Sequence, residues 1–220
     1  MKKSIVLILF LLSFRSAYTT NIVDVFKQLP AEYSLNLTLS EKEKLIDTYY
    51  NSTVKMEEAK RLPIGEISIL IIDIKNGFMK LSTTYGDGGF ELCYWNRPNA
   101  EKLIAVNHYG WATSKYTQSI DFLLLDAEAV FNVLSQKQVF PYNQIRNYLL
   151  KDNLTSSQIL QQDQLELHKA ENMVFELPRY GKSIIATFGV DNSENWKSEL
   201  LKHLEVELIW EELNLVILNR

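Results

Sequence analysis

The stretch Glu66–Thr84, EISILIIDIKNGFMKLSTT, decides the fold. A β-branched run from Ile67 to Ile74 meets Asn76-Gly77, then resumes as Phe78, Met79 and Leu81. Asn-Gly between two strand-like runs is a strong hairpin signal, because both central positions of a type I′ turn need positive φ. The stretch therefore predicts an antiparallel hairpin. Three further strands follow it: FELCYW (Phe90–Trp95), KLIAVNHYG (Lys102–Gly110) and SIDFLLLD (Ser119–Asp126). Their links, YGDGG and NRPNAE, are short and rich in turn residues, so the simplest arrangement is an antiparallel meander.

Helices flank this sheet. NIVDVFKQLP places Ile22, Val23, Phe26 and Leu29 on one stripe and stops at Pro30. LSEKEKLIDTYYN offers Ser40 and Glu43 as a capping box, with Leu45, Ile46, Tyr49 and Tyr50 as its apolar side. Beyond Asp126, AEAVFNVLSQ reads as a helix capped by that aspartate. PYNQIRNYLLKDN starts a helix near Pro141, and TSSQILQQDQLEL repeats the capping pattern with Thr155 and Gln158. Strands return in NMVFELP and GKSIIATFGV. A helix, SENWKSELLKHL with Ser193 as N-cap, then leads into LEVELIWEELNLVIL, a half-buried strand, a turn near Glu212–Asn214 and a closing strand. The expectation is an α+β protein: an antiparallel, largely meandering sheet with short helices at the N-terminus, in the middle and before a C-terminal hairpin.

The chain opens MKKSIVLILFLLSFRSAYTT, with Lys2 and Lys3 before an apolar run from Ile5 to Leu12 and no acid before Asp24. That is the charge and hydropathy order of a secretory signal, and the run is far below the roughly 20 residues a spanning helix needs. Cleavage is expected between Ala17 and Thr20, dividing the chain into a leader at 1–19 and one α+β domain at 20–220. The looser periodicity near 127–160 marks the one place for a subdivision. No cysteine at the junction indicates a lipoprotein. Without Lys2, Lys3 and Arg15 the 23 basic residues become 20 against 27 acidic, a net charge near −7. Such a balance disfavours nucleic acid and anionic membrane surfaces as partners, since both need a basic face. The expected location is the periplasm or the extracellular space, with no stable membrane insertion after cleavage.

Chemistry-bearing motifs are scarce. His108, His168 and His203 stand singly, without HExxH or CxxC, so no metal or other cofactor is implied. Gly86-Asp87-Gly88-Gly89 leads into a strand, which leaves its amides off a helix N-terminus and removes the mechanism of a phosphate cradle. Asp87 has no acids at the alternate positions a calcium loop uses. GxSxG is absent. Cys93, the sole cysteine, reads as a buried inert thiol. Glu205 with Glu207, and Glu211 with Glu212, read as a solvated strand face.

Aromatic residues crowd one third of the meander: Tyr85, Phe90, Tyr94, Trp95, Tyr109, Trp111 and Tyr116. Alternation puts Phe90, Leu92 and Tyr94 on one face and Glu91, Cys93 and Trp95 on the other. Either helices cover both faces, or one of them is a partly exposed aromatic surface that meets a protein or glycan. In the second case Tyr85, Trp95, Tyr109 and Trp111 are the binding candidates.

The order of pieces resembles a known family. The leader, DVFKQLP, KLIDTYYN, and the ending IIATFGV, SENWKSELLKHL and LIWEELNLVIL resemble a small secreted Bacteroidetes family of unknown function. In this chain Glu211–Asn214 stand where that family has a glycine between its last two strands. The resemblance implies export from a Gram-negative cell and carries no catalytic residues. The functional expectation is a non-enzymatic exported module that binds an envelope or extracellular protein or glycan. The alternative is a hydrolase assembled from dispersed residues, with His108, Cys93, Glu91 and Asp87 the first to test.

Overall fold

The hairpin forms as the sequence predicts, with a different turn. In the computed structural model, which describes residues 20–51, 67–83, 88–112, 115–135, 139–164, 173–188, 200–203 and 205–218, β1 (Ile67–Asp73) pairs antiparallel with β2 (Phe78–Thr83). Asp73 lies opposite Phe78, so four residues, Ile74 to Gly77, make the loop. Only Gly77 has positive φ (65°), where a type I′ turn would need two such residues. The longer loop is organised by Asp73, whose carboxylate accepts from the Asn76 backbone N–H at 3.1 Å and from its side-chain amide at 3.0 Å. Gly77 is required twice over, because a Cβ there would also sit 2.9 Å from the Tyr94 ring.

The meander continues through β3 (Gly88–Asn96), β4 (Lys102–Ala112), β5 (Lys115–Leu125) and β6 (Phe131–Leu134), giving a six-stranded sheet in sequential order. The last strand corrects the helix expected at AEAVFNVLSQ. Asp126 does accept from backbone N–H groups, those of Glu128 and Val130, but it closes a turn in which Ala129 has φ 63°. The chain then pairs back along β5, Phe122 with Leu134 through Leu125 with Phe131. Available strand edge overrides a helical pattern this short.

Two N-terminal helices cover one face of this sheet. Helix α1 (Ile22–Gln28) is capped by Asn21, with Asp24 closing the reciprocal capping box. Helix α2 (Leu39–Asn51) starts from Thr38, not Ser40: Glu41 accepts from the Thr38 N–H at 2.8 Å and hydroxyl at 2.7 Å. Both sites fit the capping pattern. The earlier one lets Leu37, only 6% exposed, turn into the core just before the helix begins. Ile22, Val25, Phe26, Leu45 and Ile46 pack there on Ile69, Met79, Leu81, Phe90, Leu92, Ile104, Val106 and Leu123. Each fully buried large side chain contributes about 1.5–3 kcal/mol by removal from water.

A second sheet covers the other face. Strands β7 (Met173–Glu176), β8 (Ile184–Phe188), β9 (Val206–Glu211) and β10 (Asn214–Ile217) form it in the order β10-β9-β8-β7. Met173, Phe175, Ile184, Ala186, Phe188, Val206 and Leu208 meet Phe78, Cys93, Ala105, Ile120 and Phe122 of the larger sheet. Helix α3 (Tyr142–Leu149) closes this core with Ile145 and Leu149, and α4 (Ser156–Gln164) follows, capped by Thr155 and Gln158 as expected. The β9–β10 turn uses two residues, Glu212 and Leu213, with Glu212 at φ 55°. Most of SENWKSELLKHL, and the loop holding Tyr85 and Asp87, lie outside the described residues. The architecture is α+β with antiparallel sheets of six and four strands.

Candidate functional site

Alternation fixes what each strand aims at the second sheet. Along β2 to β5, Lys80, Glu91 and Asn107 stand side by side in register, with Tyr109 opposite Gln118 one pair further on. These polar residues lie at the border of an otherwise apolar interface, and they satisfy one another. Lys80 Nζ is 2.8 Å from Glu91 Oε1, and Asn107 Nδ2 donates to Glu91 Oε2 at 3.3 Å and to the Phe175 carbonyl at 3.1 Å. Gln118 Nε2 donates to Asn107 Oδ1 and to the Phe175 carbonyl, both at 2.6 Å. Its Oε1 accepts from the Phe175 N–H at 2.8 Å. Gln118 thus offers β7, an edge strand, the hydrogen bonds a neighbouring strand would supply.

Burial pulls against the Lys80 ammonium, yet its hydrogen bond and charge contact with Glu91 outweigh that and hold it above its ordinary value. Burial raises the Tyr109 hydroxyl, opposed by the nearby Lys80 charge. The Tyr109 ring lies across Gly89, where any Cβ would collide with it. Lys80 and Glu91 form an ion pair that lines a cavity.

That cavity has a volume of about 600 Å³. Its walls come from the larger sheet (Ile71, Phe78), from Ile185 and Glu207 on β8 and β9, and from the β7–β8 loop running from Leu177 to Ser183. Glu176 also lines it, so three carboxylates and three cations (Lys80, Arg179, Lys182) face one space with apolar residues between them. The loop is held in place from two sides. Arg179 Nε is 3.0 Å from Asp73 Oδ2 in the β1–β2 hairpin, and Trp95 Nε1 donates to the Lys182 carbonyl at 3.2 Å. Tyr180, at the lip, is 69% exposed and lies under the Arg179 guanidinium at 5.1 Å.

The residues singled out from sequence are placed as follows. Trp95 is half-buried against Trp210, 5.6 Å between ring centroids, and supports the loop from below. Tyr109 is half-buried beside Lys80. Trp111 belongs to β4, its side chain outside the described residues, as is Tyr85. Both faces of strand β3 are covered, but by helices on one side alone: Phe90, Leu92 and Tyr94 pack under α1 and α2, whereas Cys93 and the half-buried Trp95 pack under the second sheet. The exposed aromatic at the cavity is a different one, Tyr180 on the lip. Arg179-Tyr180-Gly181 has no apolar periodicity around it. An aromatic ring in such a turn has no core to enter, and that is the signal that marks it.

Of the dispersed hydrolase candidates, Asp87 lies outside the described residues, and His108 and Cys93 do not come together. Cys93 is 2% exposed, and burial pushes its thiol well above the ordinary range, with Glu91 adding to the shift. His108 pairs with Phe90 on the helix-covered face, its ring 5.2 Å from that phenyl. Cys93 faces the other way. Burial lowers His108 and raises Asp121 beside it, each opposed by the other's charge. Among the described residues no three His, Cys, Asp or Glu side chains converge as metal ligands, and no helix is long and apolar enough to cross a membrane.

No protein-family model matches the chain, and no curated protein matches it. A domain of an uncharacterized protein from Porphyromonas gingivalis W83 has a similar structure. Its TM-score is 0.63 at 12% sequence identity, over 90% of this chain and 98% of that one. The likeness is one of fold, to a protein from a Bacteroidetes organism.

Proposed function

We propose that the chain is an exported, non-catalytic binding protein whose ligand occupies the cavity bounded by the two sheets and the β7–β8 loop. The observation that carries this reading is the cavity itself. About 600 Å³ falls within the roughly 300–1,000 Å³ typical of small-ligand sites, and charged side chains of both signs alternate with apolar ones along its lining. Pre-organisation supports it as well. The loop is tied by Arg179 to Asp73 and by its Lys182 carbonyl to Trp95, so little ordering remains to oppose binding. Export is supported by the leader-like stretch directly before Asn21, the residue that caps the first helix.

The test compares the mature chain with Ser183→Trp, which fills the cavity mouth, after incubation with envelope extract and washing. Retained molecules are identified by mass spectrometry. Lys182→Trp, at an exposed lining position, replaces the first variant if that one melts at a lower temperature. The reading expects a specific molecule retained by the wild type and lost from the filled variant. Equal retention by both would contradict it. Export is tested by N-terminal sequencing of the protein from fractionated cells, which should start between Tyr18 and Thr20.

A further inference from the structure

We infer that the cavity takes a neutral oligosaccharide, stacked on Tyr180 and hydrogen-bonded by the charged side chains around it; this rests on the cavity being the ligand site. The lining charges balance, with Glu91, Glu176 and Glu207 against Lys80, Arg179 and Lys182. Two of the cations are already engaged, Lys80 with Glu91 at 2.8 Å and Arg179 with Asp73 at 3.0 Å. An anionic ligand would shed its hydration for no net positive charge, and a cationic one for no net negative charge. A neutral polyhydroxylated molecule meets neither cost. Its hydroxyls donate to the carboxylates and accept from the amines, and such charge-assisted bonds are the stronger kind.

Tyr180 supplies the apolar half of the recognition. Its ring has Arg179 over it and is 69% exposed, so a ring face is left to solvent at the mouth. The C–H face of a sugar ring carries partial positive charge and lies well on the negative face of an aromatic ring. An extended peptide is the poorer occupant, because peptides held beside sheets add to a free strand edge. Strands β2, β3, β8 and β9 are each paired on both sides. Two edges reach the cavity: on β7 the N–H and C=O of Phe175 are both taken by Gln118, and on β1, which lines it with Ile71, the register shift between Ile69 and Ile71 breaks the ladder an added strand would extend. Recognition here therefore falls to side chains.

The test is isothermal titration of the mature chain with neutral hexasaccharides (cello-, xylo-, manno-, malto- and chitohexaose), a hexagalacturonate and a pool of hexapeptides. At least one neutral oligosaccharide should bind. Tyr180→Ala, at an exposed position, should weaken it about tenfold, the usual size for removal of one aromatic platform, while Tyr180→Trp retains it. Binding of the hexagalacturonate or the peptides alone, lost in Ser183→Trp, would overturn the ligand class and leave the cavity as the site. Failure of every neutral oligosaccharide would likewise overturn the class. Neutral sugar binding that ignores both Tyr180→Ala and Ser183→Trp would place the site elsewhere and overturn both readings.

Discussion

Removing the Gln118 side chain should cost a large share of the stability of the second sheet's attachment. Gln118 makes three hydrogen bonds, to the Phe175 N–H at 2.8 Å and to the Phe175 carbonyl and Asn107 Oδ1 at 2.6 Å each. In Gln118→Ala the Phe175 carbonyl keeps Asn107 Nδ2 as a donor at 3.1 Å, so the uncompensated losses fall on the Phe175 N–H and Asn107 Oδ1. At about 0.5–1.5 kcal/mol per bond, more where a buried group is stranded, the expected loss is about 2–4 kcal/mol. Urea unfolding should show it as a lower midpoint, by about 1–2 M for a slope near 2 kcal/mol/M, with the slope itself unchanged. Gln118→Glu should be no better. Its second oxygen would face the Phe175 carbonyl and Asn107 Oδ1 with no proton to donate. A loss below about 0.5 kcal/mol for both variants would refute the clamp.

Three further outcomes follow from single residues. Cys93 should resist thiol reagents in native buffer, and Cys93→Ser should destabilise by about 1 kcal/mol because a more polar hydroxyl replaces the buried thiol; fast native labelling would mean strand β3 is misplaced. Lys42 is 2% exposed and donates to the Leu29 carbonyl, and burial lowers its pKa below 10.5, so the unfolded chain holds that proton more tightly. Stability should therefore gain a rise with pH from the folded value up to 10.5, shared with Lys102, which burial also lowers. Lys42→Met should shrink that rise while changing stability at pH 7 by no more than about 1 kcal/mol. A pH profile shared by both proteins would contradict this. Glu212 occupies the left-handed region at φ 55°, so Glu212→Gly should stabilise by about 0.5–1 kcal/mol, with the melting temperature as the readout. A lower melting temperature would argue against that turn geometry.

Much of this fold could be read locally. Ile67 to Leu81 announce a hairpin, the capping residues Thr155 and Gln158 mark α4, and the alternation of Val206, Leu208 and Trp210 marks β9. What could not be read was decided by partners far along the chain. AEAVFNVLSQ becomes strand β6 because β5 offers a free edge, and Asp126 serves a turn as readily as a helix start. The division of the strands into two sheets is likewise not written in any one of them. The site was the least legible part. Trp95 and Tyr109 lie in the conspicuous aromatic cluster, and packing across the sheet takes up both. The exposed ring at the cavity, Tyr180, stands beside a single arginine in a loop without pattern. Its neighbours at the site, Lys80 and Glu91, come from strands whose charged positions look like solvated faces until the second sheet is set against the first.

Hydrogen exchange of the mature chain, with and without the envelope-derived molecule it retains, tests the cavity most directly. The account predicts slowed exchange concentrated in the segment from Leu177 to Ser183, with little change along β6 or the first two helices. Protection confined to β6 or to α1 and α2, with 177–183 unaffected, would contradict it.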